Sequence, residues 1–434
     1  MTIRHLTSTV VAATGLVAGL AAPASAAPPA RRGPKAGIQS VMAITKVYTF
    51  GQKVAAVAIE YKGVVDPRTL DQNTFTVSDS IYNFRFNPPE DLAKRADRTV
   101  TRIYTNDEPA LDPRGRSDRG RFVIVELDPA DPGGNTVIRS LCSGFLCSEK
   151  ITPDLPTEVV QNENVYARPG RGGDRREPLG AAGPTRYPLT AKPVNVLADE
   201  FRYERFERPD MAVPYAFHLP EHYRPWRRYP LVVVLPGWGS GFDGQNEGVQ
   251  VAVDITAVAW AQPAWTGSRE DVIILAPQTE RIGTQAEVAA LVDLLGSFTS
   301  RYGVDRDRVY VSGFSWGTTL AYEAMAAHPG LFAAALINAG FTVTDGQAAR
   351  IAATRTPIWI THGTSDPILP VTNGRTSAQR LRDAYVAAGV APAQAADLVR
   401  FTEFPDEAYS QPDYHAVVGP AYETRSIPHW LLEQ

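Results

Sequence analysis

The stretch "RVYVSGFSWGTTLAYEAMAAHP", residues 308–329, decides how the C-terminal part of this chain folds. It starts with a β-branched run, passes through Gly313-Phe314-Ser315-Trp316-Gly317, and continues into an Ala-rich segment of good helix formers. A strand, a tight turn and a helix in this order predict a strained turn that exposes a serine nucleophile. Because the same pattern also fits an ordinary glycine-rich turn, the rest of the chain has to decide between the two.

Five further apolar runs predict the sheet on which this turn sits. Each run is short and continuous rather than alternating, and helix-length segments separate most of them. Such runs are typical of parallel strands that are covered by helices on both faces. The runs are "YPLVVVLPG" (229–237), "DVIILAPQ" (271–278), "FAAALINAG" (332–340), "PIWITHG" (357–363) and "LVRFTEFP" (398–405).

A serine hydroxyl needs a histidine base, and the base needs a carboxylate that orients it. His415 lies in the loop "PDEAYSQPDYHAVVGP" after the last run, where a loop can lower an imidazole onto the serine. Asp366 follows a buried run directly and precedes Pro367, which stiffens its loop. The order Ser315, Asp366, His415 is the order expected for α/β-hydrolases. We therefore predict these three as the catalytic residues and expect activity to rise with pH as the histidine loses its proton.

Other residues compete for the same roles. His429 is the alternative base, and a turn-forming role is the alternative for Asp366. His362 stands at a strand end but on the wrong side of the acid in chain order. His218 and His222 are expected to precede the first sheet strand, and His328 to end the helix after Ser315. The rival carboxylates are Asp345, Asp406, Glu407 and Asp413.

The turn "LPGWGSGFDGQNEG", residues 235–248, is the predicted oxyanion loop. Its glycines, Gly237 and Gly239 among them, let a backbone point N–H groups into a site. We predict the main-chain N–H groups of Trp238 and Trp316 as the donors, and both indoles as walls of an apolar acyl pocket. The alternative is a plain turn with an aromatic plug.

The N-terminal part has a different pattern. Residues 37–160 contain short strand-like runs, such as "KVAAVAIEY" and "RFVIVEL", separated by Pro, Asp and Gly clusters, which predicts a small all-β sandwich. Residues 161–194 are rich in Gly, Pro and Arg and predict a linker. Residues 195–434 then form the predicted α/β domain.

The first 26 residues have the pattern of a signal peptide. Arg4 precedes an apolar run that ends at Pro23, and a small-x-small cleavage pattern ends at Ala26. Export predicts an extracellular protein that does not stay in the membrane after cleavage. An oxidising compartment also favours a disulfide between Cys142 and Cys147, worth roughly 2 kcal/mol, over a metal site.

Composition bounds the remaining classes. A chain of 434 residues exceeds one hydrophobic core, and 44% hydrophobic with 21% charged residues is ordinary for a folded protein. A net charge of -4 gives no basic surface for nucleic acid. No metal-ligand spacing, phosphate loop or dinucleotide fingerprint is present, so we expect neither a metal nor a cofactor.

Four stretches, "YGVDRDRVYVSGFSWG", "HPGLFAAALINAG", "PIWITHGTSDPILPV" and "HWLLEQ", resemble the ordered blocks of extracellular α/β-hydrolase esterases of the polyhydroxybutyrate-depolymerase-like and feruloyl-esterase-like group. The resemblance covers residues 195–434. It implies the same nucleophile, acid and base, with the oxyanion loop at Gly237 to Gly239. The chain departs from the group's pattern at Thr318, where a glycine is common, and at Pro236, where a histidine often begins the loop.

The β-rich segment from "FGQKVAAVAIEY" to "GRFVIVEL" resembles the immunoglobulin-like domain that precedes some of these esterases. The resemblance implies a role in assembly or activity, including a homo-oligomer formed through the β-domain.

The sequence thus predicts a secreted serine carboxylesterase for small or polymeric esters. A polyester depolymerase, a serine peptidase and a surface-binding protein on an inactive hydrolase shell are the alternatives.

Overall fold

A computed structural model describes residues 37–434 apart from 82–93, 112–116, 118, 144–145, 153, 171–176, 181, 242–246, 269, 280–282 and 411–412. The side chains of 139–147 are also outside the description. The predicted signal peptide lies outside the described residues. The described part falls within one compact unit, Gly33–Gln434.

Two facing sheets form the N-terminal domain. One has the order β13-β1-β2-β6-β5 and the other β12-β9-β3-β4. The strands are β1 Ile38–Tyr48, β2 Gly51–Tyr61, β3 Phe75–Ser80, β4 Arg95–Arg98, β5 Val100–Asn106, β6 Phe122–Leu127, β7 Val137–Ser143, β8 Leu146–Ile151, β9 Glu158–Gln161, β10 Val165–Tyr166, β11 Pro178–Leu179, β12 Thr185–Pro188 and β13 Val194–Val196.

Apolar side chains from both sheets pack between them. Ile59 and Val125 come from the first sheet, and Phe75 and Val159 come from the second. Along each strand, these side chains alternate with residues that point to the opposite face of the sheet. The side chains between the two sheets therefore form one core. The predicted β-sandwich is confirmed.

The prediction of a linker at residues 161–194 is wrong for much of that segment. Strand β12 pairs antiparallel with β9, and β13 pairs parallel with β1. Tyr187 and Leu189 are buried in the sandwich core, although the sequence around them is mostly polar. The composition was misleading because each strand has only three or four residues and is held by a partner far away in sequence.

An eight-stranded sheet forms the C-terminal domain, in the order β14-β15-β17-β16-β18-β19-β20-β21. The six strands β16 to β21 pair with one another in parallel, and β14 and β15 add an antiparallel edge. The strands are β14 Arg202–Glu207, β15 Ala212–His218, β16 Tyr229–Leu235, β17 Ile273–Pro277, β18 Val304–Phe314, β19 Ala334–Asn338, β20 Ile358–Gly363 and β21 Val399–Phe404.

Helices cover both faces of this sheet. Two of them begin at reciprocal side-chain caps, Thr284 with Glu287 and Thr344 with Gln347, which satisfy N–H groups of the first turn. The helices are α1 Val249–Ala252, α2 Pro263–Thr266, α3 Gln285–Arg301, α4 Gly317–Ala327, α5 Asp345–Ala352, α6 Thr372–Ala387, α7 Pro392–Leu398, α8 Val418–Glu423 and α9 Ser426–Leu432.

The two sides of the sheet bury separate apolar clusters, one under α3 to α6 and one under α8 and α9. The predicted α/β-hydrolase fold with its mostly parallel sheet is confirmed.

Within the described residues, two apolar clusters contain side chains of both the sandwich and the α/β domain. Val47 of β1 packs into the apolar cluster that contains Phe201 and Tyr422 of the α/β domain. Val137 of β7 packs with Val249 and Ala252 of α1. Both contacts are apolar, so the domains share buried surface.

Cys142 and Cys147 lie in facing strands of the β7–β8 hairpin, where Ser140 pairs with Ser148 and Ser143 with Leu146. Their side chains lie outside the described part of the chain, and the disulfide stays a prediction. Within that part, the helices are all too short or too polar to span a bilayer.

Candidate active site

Ser315 occupies the turn between β18 and α4 at the carboxyl end of the central strand. Its φ of 51° lies in the left-handed region, which a residue with a side chain rarely adopts. The Ser315 N–H donates to the carbonyl of Asn338 at 2.9 Å, which holds the strained turn against strand β19. The serine is 4% exposed, so its hydroxyl lies in a largely enclosed site.

The two glycines of the pattern are required by close backbone approach. A Cβ on Gly317 would lie 2.7 Å from the Pro236 oxygen and closer still to the oxygen of Leu235. A Cβ on Gly313 would lie 3.0 Å from the Gly317 oxygen. A side chain at Gly317 would therefore push α4 away from β16, one at Gly313 would push α4 away from β18, and either would move the serine.

Two further residues brace the turn, and neither was predicted from the sequence. The Thr318 hydroxyl donates to the Ser315 carbonyl at 2.6 Å and accepts from the Phe341 N–H at 3.2 Å. The Asn338 amide donates to the Gly313 carbonyl at 3.1 Å. The departure at Thr318 thus adds a hydrogen bond that a glycine could not make. For Asn338, the signal in the sequence was a polar residue close to the end of an apolar run.

His415 lies between the serine and the aspartate. Its Nε2 is 2.9 Å from Ser315 Oγ, and its Nδ1 is 2.8 Å from Asp366 Oδ2. Because a carboxylate only accepts, Nδ1 carries the hydrogen and Nε2 is free to accept from the hydroxyl. Phe314 packs on the ring at a centroid distance of 5.2 Å. The structure therefore brings all three predicted residues together in the order required for proton transfer.

Asp366 is held as a buried carboxylate. Oδ1 accepts from the N–H groups of Ile368 at 2.8 Å and Leu369 at 3.0 Å. Burial alone would raise the pKa of Asp366, but hydrogen bonds from His362, His415 and the backbone outweigh it and lower the pKa well below its usual range. The ionised form thus stabilises the fold above the ordinary pKa of an aspartate, and this contribution is lost as pH falls.

The predicted oxyanion loop passes beside the nucleophile. Gly237 lies so close that a Cβ there would be 3.6 Å from the Cβ of Ser315. The chain then forms a 3₁₀ turn, Trp238–Ser240, and Trp316 follows the serine at the start of α4. N–H groups at the start of a helix have no partner within the helix.

Gln278 fastens both ends of this loop. Its side-chain Nε2 donates to the Ser240 carbonyl at 2.9 Å, and its Oε1 accepts from the Gly248 N–H at 3.0 Å. The Ser240 hydroxyl donates to Glu149 of strand β8 at 3.1 Å. The loop is therefore supported by the sheet on one side and by the sandwich domain on the other.

Aromatic side chains line the surface beside Ser315. The rings of Trp238 and Trp316 lie 5.1 Å apart, and Trp316 meets Phe341 edge-on at 5.2 Å. Trp238 is 41% exposed, so the outermost indole faces solvent. This surface offers an apolar contact to a group bound next to Ser315.

The competing residues lie elsewhere or make other contacts. Asp345 pairs with Arg380 at 3.1 Å, and His429 pairs with Glu433 at 3.1 Å. The prediction that His218 precedes the sheet is wrong, because this histidine lies within the second strand, β15. Asp366 is the carboxylate whose oxygen lies within hydrogen-bond distance of His415 Nδ1. Among the residues that the structure describes, no group of three or more His, Cys, Asp and Glu side chains could hold a metal ion.

Comparison with known proteins agrees with this architecture. Residues 40–172 match the family model of the esterase Ig-like N-terminal domain, and residues 263–390 match that of phospholipases and carboxylesterases. The crystal structure of a thermostable esterase superposes with a TM-score of 0.74 at 27% identity, covering 91% of this chain and 99% of that one. The chain is an α/β-hydrolase esterase with an Ig-like N-terminal domain. It is a serine carboxylic ester hydrolase.

More distant structures resemble the esterase less. A feruloyl esterase module from Clostridium thermocellum, complexed with sinapinate, is 14% identical with a TM-score of 0.40, covering 53% of this esterase and 87% of the module. An acylaminoacyl peptidase from Pyrococcus horikoshii is 12% identical with a TM-score of 0.36, covering 61% and 46% respectively. Neither bears on the activity of the esterase. No curated protein sequence matches it significantly.

Proposed function

We propose that the esterase is a secreted carboxylesterase that forms an acyl-enzyme on Ser315, with His415 as base and then acid and Asp366 as the orienting carboxylate. The observation that carries this proposal is the position of His415, 2.9 Å from the serine hydroxyl and 2.8 Å from the aspartate. One ring thus contacts a hydroxyl through the nitrogen that accepts and a carboxylate through the nitrogen that donates.

In the acylation step, Ser315 Oγ attacks the ester carbonyl carbon while its proton moves to His415 Nε2. The tetrahedral intermediate collapses as the C–O bond to the alcohol breaks, and the alcohol takes the proton from Nε2. Asp366 stabilises the imidazolium that exists between these events. Because the pKa of Asp366 lies well below its usual range, the carboxylate keeps its charge throughout the working pH range.

In the deacylation step, water attacks the acyl carbon and His415 Nε2 takes the water proton. The bond to Ser315 Oγ breaks, the serine regains its proton from the imidazolium, and the carboxylic acid leaves. Both tetrahedral intermediates place negative charge on the former carbonyl oxygen. The main-chain N–H groups of Trp238 and Trp316 are the proposed donors to that oxygen, each worth roughly 3–4 kcal/mol.

The aromatic surface supports esters with an apolar acyl group. The rings of Trp238, Trp316 and Phe341 contact one another beside Ser315, and a bound acyl chain would exchange water for this surface. Depolymerisation of an aliphatic polyester is the second candidate, because Trp238 is 41% exposed and could meet a polymer chain from outside. Release of product from a polyester film, compared with hydrolysis of a short soluble ester, separates the two.

Secretion rests on the first 26 residues, which have the pattern of a signal peptide. Expression with and without residues 1–26 tests it. We expect the full chain to appear in the culture medium with a mature N-terminus near Ala27, and the shortened chain to stay in the cells. A full-length chain that remains in the cells would contradict secretion.

The experiment that tests the nucleophile is intact-mass labelling with a fluorophosphonate, followed by hydrolysis of p-nitrophenyl esters from acetate to palmitate. We expect one label per wild-type chain and none on Ser315→Ala, with kcat reduced about a million-fold. The control is Ser300→Ala, an exposed hydroxyl at the end of α3 that bonds only a carbonyl of its own helix. Labelling that persists in Ser315→Ala would show that another residue is the nucleophile.

A further inference from the structure

His362 is a fully buried histidine for which the Ser315, His415 and Asp366 chemistry has no step. It is the penultimate residue of strand β20, four residues before the aspartate, and its side chain is 0% exposed. Helix α6 packs against it so closely that a Cβ on Gly374 would lie 3.0 Å from His362 Nδ1. The strand and the helix therefore fix the position of the ring.

The hydrogen on the ring can be assigned from its neighbours. His362 Nε2 lies 2.9 Å from the Leu369 carbonyl oxygen and 3.3 Å from Asp366 Oδ2. Because both of these atoms only accept, Nε2 carries the hydrogen and shares it between them. His362 Nδ1 has no hydrogen-bond partner among the described residues. A buried polar atom without a partner costs free energy, which an apolar side chain of similar volume would avoid.

This contact completes the surroundings of the Asp366 carboxylate. Oδ1 accepts from two backbone N–H groups, and Oδ2 accepts from His415 at 2.8 Å and faces His362 at 3.3 Å. Two oxygens offer about four lone-pair directions, and here four donors face them. Without His362, one direction on Oδ2 loses its donor and the carboxylate can rotate away from His415.

We infer that His362 is a positioning residue that holds Asp366 Oδ2 toward His415 Nδ1. This inference rests on the proposed function of the three residues. The competing explanation is that His362 only ties the strand end to Leu369 and fills the core. The two explanations differ in what they require: positioning requires an N–H donor directed at Oδ2, whereas packing requires only volume.

The test compares His362→Leu, which keeps volume without a donor, with His362→Gln, whose amide can place an N–H near the position of Nε2. We expect His362→Leu to lower kcat on a short p-nitrophenyl ester about 10- to 100-fold with KM within about twofold, because Asp366 acts on charge that develops in the transition state. We expect His362→Gln to retain kcat within about fivefold. Should His362→Leu fail to fold, His362→Met, with a flexible apolar side chain, takes its place.

The second arm combines His362→Leu with Asp366→Ala. A positioning residue has nothing to hold once the carboxylate is gone, so we expect the double variant to match Asp366→Ala within about threefold. The control is His218→Leu, a buried histidine of β15 outside the site, for which we expect unchanged kcat.

Wild-type kcat in His362→Leu, or an equal loss in His362→Gln, would overturn the inference, as would a full further loss in the double variant. Failure of the proposed function is distinguishable, because then the wild-type chain itself would not take the fluorophosphonate label.

Discussion

At the residue scale, Ser315 adopts a conformation that costs energy. A non-glycine residue at a φ of 51° is disfavoured by on the order of 1–3 kcal/mol, and surrounding contacts have to hold it there. The contacts are the Asn338 carbonyl on the serine N–H and the Thr318 hydroxyl on the serine carbonyl. The glycine at 317 lets α4 start directly against β16. The strained conformation of Ser315 is thus held by a strand on one side and a helix on the other.

The first prediction at this scale compares a glycine that is packed against backbone atoms with a glycine that has open space beside it. Gly317→Ala would drive a methyl group into the carbonyls of Leu235 and Pro236. We therefore expect the unfolding free energy to fall by about 3 kcal/mol or more, and fluorophosphonate labelling to be lost. Gly296→Ala in α3 meets open space and should raise the unfolding free energy by about 1 kcal/mol. Urea unfolding measures both. Equal stability of the two variants would contradict the close approach at Gly317.

At the element scale, the predicted oxyanion loop depends on support from neighbouring elements. Gln278 follows β17 and joins Ser240 to Gly248, while β8 of the sandwich reaches Ser240 through Glu149. The 3₁₀ turn Trp238–Ser240 has no side-chain cap of its own and starts after a glycine. Its shape is therefore set by residues outside the loop.

The second prediction concerns this support. Gln278→Leu removes both hydrogen bonds at nearly constant volume, and we expect kcat to fall about tenfold as the Trp238 N–H moves out of place. Gln379→Leu is the matched control, because that amide bonds only Asp383 on the exposed face of α6. Steady-state kinetics on one p-nitrophenyl ester measure both. An unchanged kcat in Gln278→Leu would show that the loop keeps its geometry without the amide.

The elements differ in how well local sequence predicts them. The strands buried on both faces are continuous apolar runs, and all six that were predicted form the parallel part of the sheet. Strands β14 and β15 escaped detection because "RYERFE" lies at an exposed edge and is mostly charged, and "AVPYAFH" contains a proline that argues against a strand. Strands β12 and β13 are recognisable only from their distant partners.

The same distinction holds at the site. Ser315, Asp366 and His415 could be predicted because each follows a strand, in the chain order typical of the α/β-hydrolase fold. His362, Thr318 and Asn338 were missed as supporting residues because their importance lies in which atoms they meet. For Thr318 and Asn338, these contacts join residues 23 to 25 positions apart in hydrogen bonds that no local pattern reveals.

At the scale of the whole molecule, the sandwich and the α/β domain share apolar surface. Val47 is 3% exposed and lies in the cluster with Phe201 and Tyr422, although it belongs to the first strand of the sandwich. The turn after β1 also meets α8, because Thr49 lies against Gly419. Unfolding the sandwich would expose this side of the α/β core to water.

The third prediction follows from that shared surface. We expect calorimetry of the mature wild-type chain to show one cooperative transition. Val47→Asp places an unpaired charge in the shared cluster and should lower the unfolding free energy by on the order of 3–5 kcal/mol, with the transition splitting in two. Val64→Asp, at a side chain that is 40% exposed on the sandwich, is the control and should unfold like wild type. Two wild-type transitions would contradict the coupling.

The parallel pairing of β13 with β1 limits how such a protein can be rearranged. Val194–Val196 completes the first sheet, and the 3₁₀ turn Ala198–Glu200 follows at once, with Ala198 already in the core of the next domain. No flexible linker therefore separates the last strand of the sandwich from the α/β domain. Replacing the sandwich by another domain at this junction would remove an edge strand from its first sheet or a core residue from the α/β domain, so an engineered chimera has to exchange the two domains together.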